Sequence, residues 1–381
     1  MQVEREYIYL NNAATSWPKP PEVIAAMSQA IATPPFSGRT TGEGEDYLAA
    51  ARESVSRLLG TRSPDHVIFT HNATDSLNIL IAGMVEKYPG CHALTTALEH
   101  NSVLRPLYEY KNQGRIQFDI VSFVENRVLP EDVEAAIRPD TRFMVITHGS
   151  NVLGSVQDIR TIGEILHEHD IYVIVDGAQT AGHIPIDLND MPVDCFVFTG
   201  HKGLFGASGT GGFYIRNPES IVPVRFGGTG TNSISLFQPV EMPERFEVGT
   251  HNYPGLAALA AGVSYVESVG IHRIEEKAKR QVLFLINELK KEEKICVYND
   301  HPNLPIVACN ISHMDNDDVG FILSRLYHIV SRTGLHCAPL VHQTINNGTG
   351  CVRFSLSWFT TDKECEQAAM AMREIAKYAD S

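Results

Sequence analysis

The residues with the clearest chemical potential in this chain sit at the ends of apolar runs. Cys195-Phe196-Val197-Phe198 has the length and the Phe/Val content of a buried strand, and it delivers Thr199, His201 and Lys202 into a glycine-rich loop. A hydroxyl, an imidazole and an amine presented together suit anion binding and attack by a nitrogen nucleophile on a carbonyl. Read alone, Lys202 is an ordinary solvated lysine after a strand. A second apolar run ends in Val175-Asp176-Gly177-Ala178-Gln179. A carboxylate in that position needs a partner, and a protonated ring nitrogen would be one.

Other strand ends add to the set. Thr70-His71-Asn72-Ala73-Thr74 opens a helix, where free backbone N–H groups and the helix dipole favour a phosphate. A simple N-cap reads equally well there. Glu99-His100-Asn101-Ser102 and Thr147-His148-Gly149-Ser150-Asn151 are further polar clusters of the same kind. A lysine for a Schiff base and an aspartate for a pyridinium nitrogen are the two protein groups that pyridoxal phosphate chemistry requires.

These side chains need a frame to hold them. Strands are expected at 67–70, 91–95, 117–122, 143–147, 171–175, 195–198 and 212–215. They alternate with helices at 73–88, 102–112, 130–137 and 159–169 and follow helices at 21–32 and 45–59. The alternation, with strands apolar enough to be covered on both faces, indicates a mostly parallel α/β sheet whose ligands lie beyond the strands' carboxyl ends. Residues 37–44 lack periodicity and are expected to form a loop. After about Pro254 the pattern changes to a long helical stretch at 255–293 broken at Gly270, then strands near 307–311, 329–331 and 351–357, and a last helix at 362–378. The expected division is a large domain over 16–253, with 1–15 and 254–381 forming a smaller α/β domain.

Bulk properties narrow the function. With 381 residues the chain can bury a large core, and its 43% hydrophobic and 20% charged content is that of a globular protein. A formal charge of −14 argues against nucleic acid or an anionic membrane as the main partner. No apolar run reaches the ~20 residues needed to span a bilayer, and Met1–Glu6 has no signal-peptide character, so a cytoplasmic location is expected. The seven cysteines are scattered without a Cys-x-x-Cys pair, which argues against a disulfide framework and against a zinc site; no metal is expected.

In order along the chain, Tyr9-Leu10-Asn11-Asn12-Ala13-Ala14-Thr15, Asn72-Ala73-Thr74, Glu99-His100-Asn101, Ser150–Gly154, Val175–Gln179, Thr199-Gly200-His201-Lys202, Phe246–Thr250, Arg332-Thr333-Gly334-Leu335-His336-Cys337-Ala338 and Val352-Arg353-Phe354-Ser355 resemble a known family. It is the class V aminotransferase family of fold-type I pyridoxal phosphate enzymes, in its cysteine desulfurase/selenocysteine lyase branch. The resemblance implies a seven-stranded, mostly parallel sheet with a smaller C-terminal α/β domain. It implies that Lys202 forms the Schiff base, Asp176 pairs the ring nitrogen, His100 stacks on the ring, and Gln179 and Asn151 lie close to it. Ala73, Thr74, Thr199 and His201 would hold the phosphate, joined by Thr250 from a second subunit of a homodimer.

Arg353, with Arg332 and Asn151 nearby, would take the substrate carboxylate, and Cys337 would accept sulfur from L-cysteine as a persulfide, leaving alanine. Its thiolate calls for positive surroundings, for which His336 and Arg332 are the neighbours in sequence. The implied partners are L-cysteine or L-selenocysteine and a sulfur-acceptor protein. An aminotransferase, C–S lyase or epimerase of the same fold is the alternative. The short turn before Pro339 resembles the group with an ordered cysteine loop, although residues 227–246 are shorter than that group's hairpin-bearing insertion.

Overall fold

The computed structural model describes residues 7–34 and 44–379; Met1–Glu6 and nearly all of the loop expected at 37–44 lie outside them. At the centre is a seven-stranded sheet in the order Val67–Thr70, Gly211–Ile215, Cys195–Thr199, Tyr172–Asp176, Thr141–Thr147, His92–Thr96, Gln117–Val121. Every pairing is parallel except those of Gly211–Ile215, which runs antiparallel to both neighbours. The expected mostly parallel sheet is therefore present.

Side-chain alternation divides each strand between two cores. Val173, Val175, Phe196 and Phe198 face one side, where helices Tyr47–Leu58, Ile159–Glu168 and Tyr253–Val269 supply Val55, Ile162 and Leu259. Ile174, Cys195, Val197 and Phe213 face the other, against Leu77, Leu80 and Met84 of Ala73–Lys87 and Leu107 of Asn101–Asn112. With both faces covered, the chemically versatile residues are displaced to the strand ends. Thr70, Thr96, Thr147, Asp176 and Thr199 all end strands that run the same way.

A second core unites Leu10 with Val307, Cys309, Leu323, Ile329, Phe354 and Met372. Here Ile8–Tyr9 pairs in parallel with Ile329–Val330, and Ile306–Ile311 pairs antiparallel with both Val352–Ser355 and Ile295–Val297. The N-terminal segment thus packs with the C-terminal part of the chain. The expected break near Pro254 is a helix start, since Leu256, Leu259 and Val263 pack into the large core. Gly270, at φ 90°, ends that helix and starts Ile271–Leu289, which packs into the second core through Val282 and Leu285.

Among the described residues, strand Ile295–Val297, helix Asn316–Tyr327 and helix Pro339–Asn346 were not legible in advance. Among the described residues no single helix is long and apolar enough to cross a membrane.

Candidate active site

A cavity of about 480 Å³ opens at the carboxyl edge of the large sheet and is closed from the other side by the second core. Its anion-binding end is built by the start of Ala73–Lys87. Asn72 caps this helix by accepting from Asp75 N–H at 3.0 Å, and Ala73 and Thr74 bring first-turn N–H groups, which a helix cannot pair internally, to the cavity wall. Gly211 permits this placement, because a Cβ there would lie 2.6 Å from the Asn72 Cα. Thr199 and His201 line the same end. Burial first, then the charges of Lys202 and Lys19, holds the His201 imidazole down at about 4, so it is neutral near pH 7.

The loop carrying Lys202 is fixed from behind. The His201 carbonyl accepts from Ser16 N–H (3.0 Å), Ser16 Oγ (3.0 Å), Thr15 Oγ1 (3.2 Å) and Lys19 Nζ (3.0 Å), and Ser16 Oγ also reaches the Lys202 carbonyl at 2.9 Å. These residues follow the N-terminal strand, so the second core anchors the loop of the first.

Lys202 faces the cavity, where poor hydration brings its amine down to about 8; Arg353 and Arg332 push the same way and Asp176 opposes them. Asp176 is buried, and its carboxyl accepts from Ala178 N–H at Oδ1 at 3.0 Å. Burial raises its pKa, against the Ala178 bond and the Lys202 charge. His100 accepts from Ser102 N–H through Nδ1 at 3.1 Å, which leaves the proton on Nε2. Burial, then Lys202 and the arginines, keeps this ring neutral with a pKa of about 4. Gln179 donates to the Ala13 carbonyl at 3.1 Å and lines the cavity beside Asp176. An amine for an aldehyde, a buried acid for a ring nitrogen and a helix start for a phosphate thus surround one space. The donor set fits pyridoxal phosphate.

On the side of the second core, Arg353 is fully buried and donates to the Asn151 carbonyl at 2.8 Å and to Asn11 Oδ1 at 3.2 Å, while its Nε is unpartnered. Burial, with Arg332 close by, brings its guanidinium down to about 9. Asn151 in turn donates to the His336 carbonyl at 2.8 Å, tying the cysteine loop to the sheet end.

Cys337 sits at the rim. It lines an adjoining cavity that shares Thr74, His100 and Ser102 with the first, and its carbonyl accepts from Asn101 N–H at 2.7 Å. Arg332 Nη2 lies 3.8 Å from its Sγ. His336 does not provide the expected positive charge. Left-handed φ angles of 52° and 57° at His336 and Cys337 send the imidazole inward, where burial holds it neutral with a pKa of about 2. Thr250 is exposed and lines a different cavity with Thr70, Asp75 and Arg225.

Sequence reasoning missed the Thr15/Ser16/Lys19 clamp, whose one local signal is a lysine between two prolines. It also gave no role to Glu99. That carboxyl is fully buried, accepts from Thr96 Oγ1 (2.6 Å) and Thr147 N–H (2.9 Å), and is raised by burial to about 8.

The doubly covered sheet, with the lysine–aspartate cavity at its carboxyl edge, is that of an α/β enzyme. The chain belongs to the class-V aminotransferase family, which it matches over residues 8–367. It is 31% identical to a probable cysteine desulfurase of Methanothermobacter thermautotrophicus, covering 98% of this chain and 95% of the relative. It is 30% identical to another from Halalkalibacterium halodurans, covering 97% and 93%. The apo structure of a cysteine desulfurase from Thermococcus onnurineus superposes with a TM-score of 0.89 at 29% identity over 98% of this chain and 95% of that one.

Proposed function

We propose that the protein is a cysteine desulfurase that holds pyridoxal 5'-phosphate in the cavity and passes the sulfur of L-cysteine to Cys337. The observation that carries this reading is the placement of Cys337 beside Arg332, at the rim of a cavity that holds Lys202, Asp176 and Arg353 together. The names of the full-length relatives support the same reaction. The bound cofactor supplies an electron sink for the bonds at the substrate's Cα.

The protein's own groups then divide the work. Ala73, Thr74, Thr199 and His201 hold the phosphate, and Asp176 pairs the ring nitrogen, with His100, Gln179 and Asn151 around the ring. Lys202, with its amine near neutrality, anchors the aldehyde and moves the Cα proton. Arg353 binds the substrate carboxylate, assisted by Arg332 and Asn151. Cys337 Sγ, as the thiolate, attacks the substrate sulfur. An S–S bond forms, the C–S bond breaks, its electron pair passes to the substrate carbon, and protonation there yields alanine.

We further propose a homodimer in which Thr250 completes the partner's phosphate site, since within one chain Thr250 stands apart from the cavity. The exposed Ile234, Leu236 and Phe237 of the neighbouring segment support an interface there. A protein acceptor would take the sulfur from Cys337.

A panel of L-cysteine and L-selenocysteine, scored for alanine, tests the substrate. Faster turnover on L-cysteine and loss of the cofactor's visible absorbance in Lys202→Ala are expected. Alanine from L-selenocysteine alone, or unchanged absorbance in Lys202→Ala, overturns the reading.

A further inference from the structure

Behind the Cys337 loop, three side chains that the reaction does not use converge in the interior. They are His336 from the loop, His342 from helix Pro339–Asn346, and Cys351 from the start of the strand that carries Arg353. All three are buried, and His342 and Cys351 are wholly so. His336 Nδ1 lies 3.3 Å from His342 Nε2 and 4.0 Å from Cys351 Sγ, and all three atoms lie within 4.8 Å of one another. A point equidistant from atoms so spaced lies about 2.4 Å from each, close to the ~2.0–2.3 Å of metal–imidazole and metal–thiolate bonds. Among the described residues no fourth histidine, cysteine or carboxylate joins the group.

The hydrogen bonding leaves a His336 lone pair facing His342. His336 Nε2 faces the Arg332 carbonyl at 3.2 Å, so it carries the ring's proton and Nδ1 is a lone pair. Without a metal, the 3.3 Å contact then requires the His342 proton on Nε2. That leaves His342 Nδ1 as a bare acceptor, and both it and the Asn346 side-chain oxygen are buried and unpartnered. Asn346 lies one turn beyond His342 on the same helix. With an ion between the rings, His342 Nε2 becomes a lone-pair donor and its proton moves to Nδ1. His336 then gives its second N–H to the Arg332 carbonyl, the usual outer support of a metal-bound histidine.

The ligand set also indicates the charge of the ion. A thiolate with two imidazoles suits a soft cation. Arg353 acts electrostatically on all three ligands, and Arg332 on His336 as well. A monovalent ion with one thiolate adds no net charge beside those guanidiniums. His336 also lines the main cavity, which provides an entry path.

We propose that His336, His342 and Cys351 form a buried three-coordinate site for a soft monovalent metal ion of the copper(I) class, stapling the Cys337 loop to the segment that leads into the Arg353 strand. The site is independent of the desulfurase reading, and so is its test. Copper(I) is offered anaerobically as its bicinchoninate complex to the full-length purified protein and to Cys351→Ser, His342→Gln and Cys337→Ser, with folding checked by circular dichroism. The proposal expects the parent and Cys337→Ser to withdraw the same one equivalent, and Cys351→Ser and His342→Gln to lose it. No withdrawal by the parent, equal withdrawal by Cys351→Ser and His342→Gln, or its loss in Cys337→Ser overturns the proposal. If those two variants do not fold, X-ray absorption on the copper-loaded parent decides. A shell of two nitrogens and one sulfur supports the site, and any other shell contradicts it.

Discussion

Replacing Arg353 with lysine keeps a cation at the substrate end of the cavity and removes its geometry. The guanidinium already directs one N–H to the Asn151 carbonyl at 2.8 Å and another to Asn11 Oδ1 at 3.2 Å, so its remaining donors are pre-aimed and fully desolvated. A lysine ammonium has three donors on a flexible stem and cannot keep both scaffold bonds while gripping a carboxylate through two. Losing one hydrogen bond to a charged group in a site screened from solvent costs about 1.5–3 kcal/mol. That is roughly a 10- to 150-fold fall in kcat/KM for L-cysteine. The assay is steady-state alanine formation, with ethylamine formation from cysteamine, which lacks the carboxylate, as the control. Arg353→Lys is expected to change the cysteamine rate by less than about threefold. A kcat/KM for L-cysteine within about threefold of the parent, or an equal fall on both substrates, refutes the carboxylate assignment.

Two further perturbations probe the groups behind the site. Burial raises Glu99 from 4.5 to about 8, so its contribution to stability is full below pH 4.5 and is lost as pH rises through about 8, a cost of roughly 4–5 kcal/mol when fully ionised. Glu99→Gln should therefore gain on the parent in urea midpoint between pH 5 and 9, and a pH-independent difference between the two contradicts the buried-acid assignment. Ser16→Ala removes the hydroxyl shared by the His201 and Lys202 carbonyls. It should cost about 1 kcal/mol and weaken retention of pyridoxal phosphate on dialysis, and unchanged retention removes Ser16 from the positioning of the loop.

The parts of the site legible in the sequence were those written into single strand ends. Asp176 and Thr199 close uninterrupted apolar runs, and Asn72 begins a helix with a capping side chain, so type and position coincide locally. Contacts made only by the two cores meeting were not legible. The Ser16 clamp joins residues 185 positions apart, and His336 was read as a neighbour of the Cys337 thiol because adjacency in sequence says nothing about a left-handed pair of residues. The His336–His342–Cys351 group lacks the close cysteine spacing by which zinc sites are sought. It forms because helix Pro339–Asn346, missed because it is only eight residues long, brings His342 to His336 and Cys351. The large sheet was recoverable for the opposite reason, since strands covered on both faces announce themselves as apolar runs.

The central claim is that Cys337 receives the sulfur, and a single-turnover experiment with L-cysteine and no reductant tests it most directly. Mass spectrometry of the peptide bearing Cys337 should show the addition of one sulfur atom in step with the alanine released, and Cys337→Ser should form no alanine. Alanine released without sulfur on Cys337, or at the parent rate in Cys337→Ser, would contradict the account.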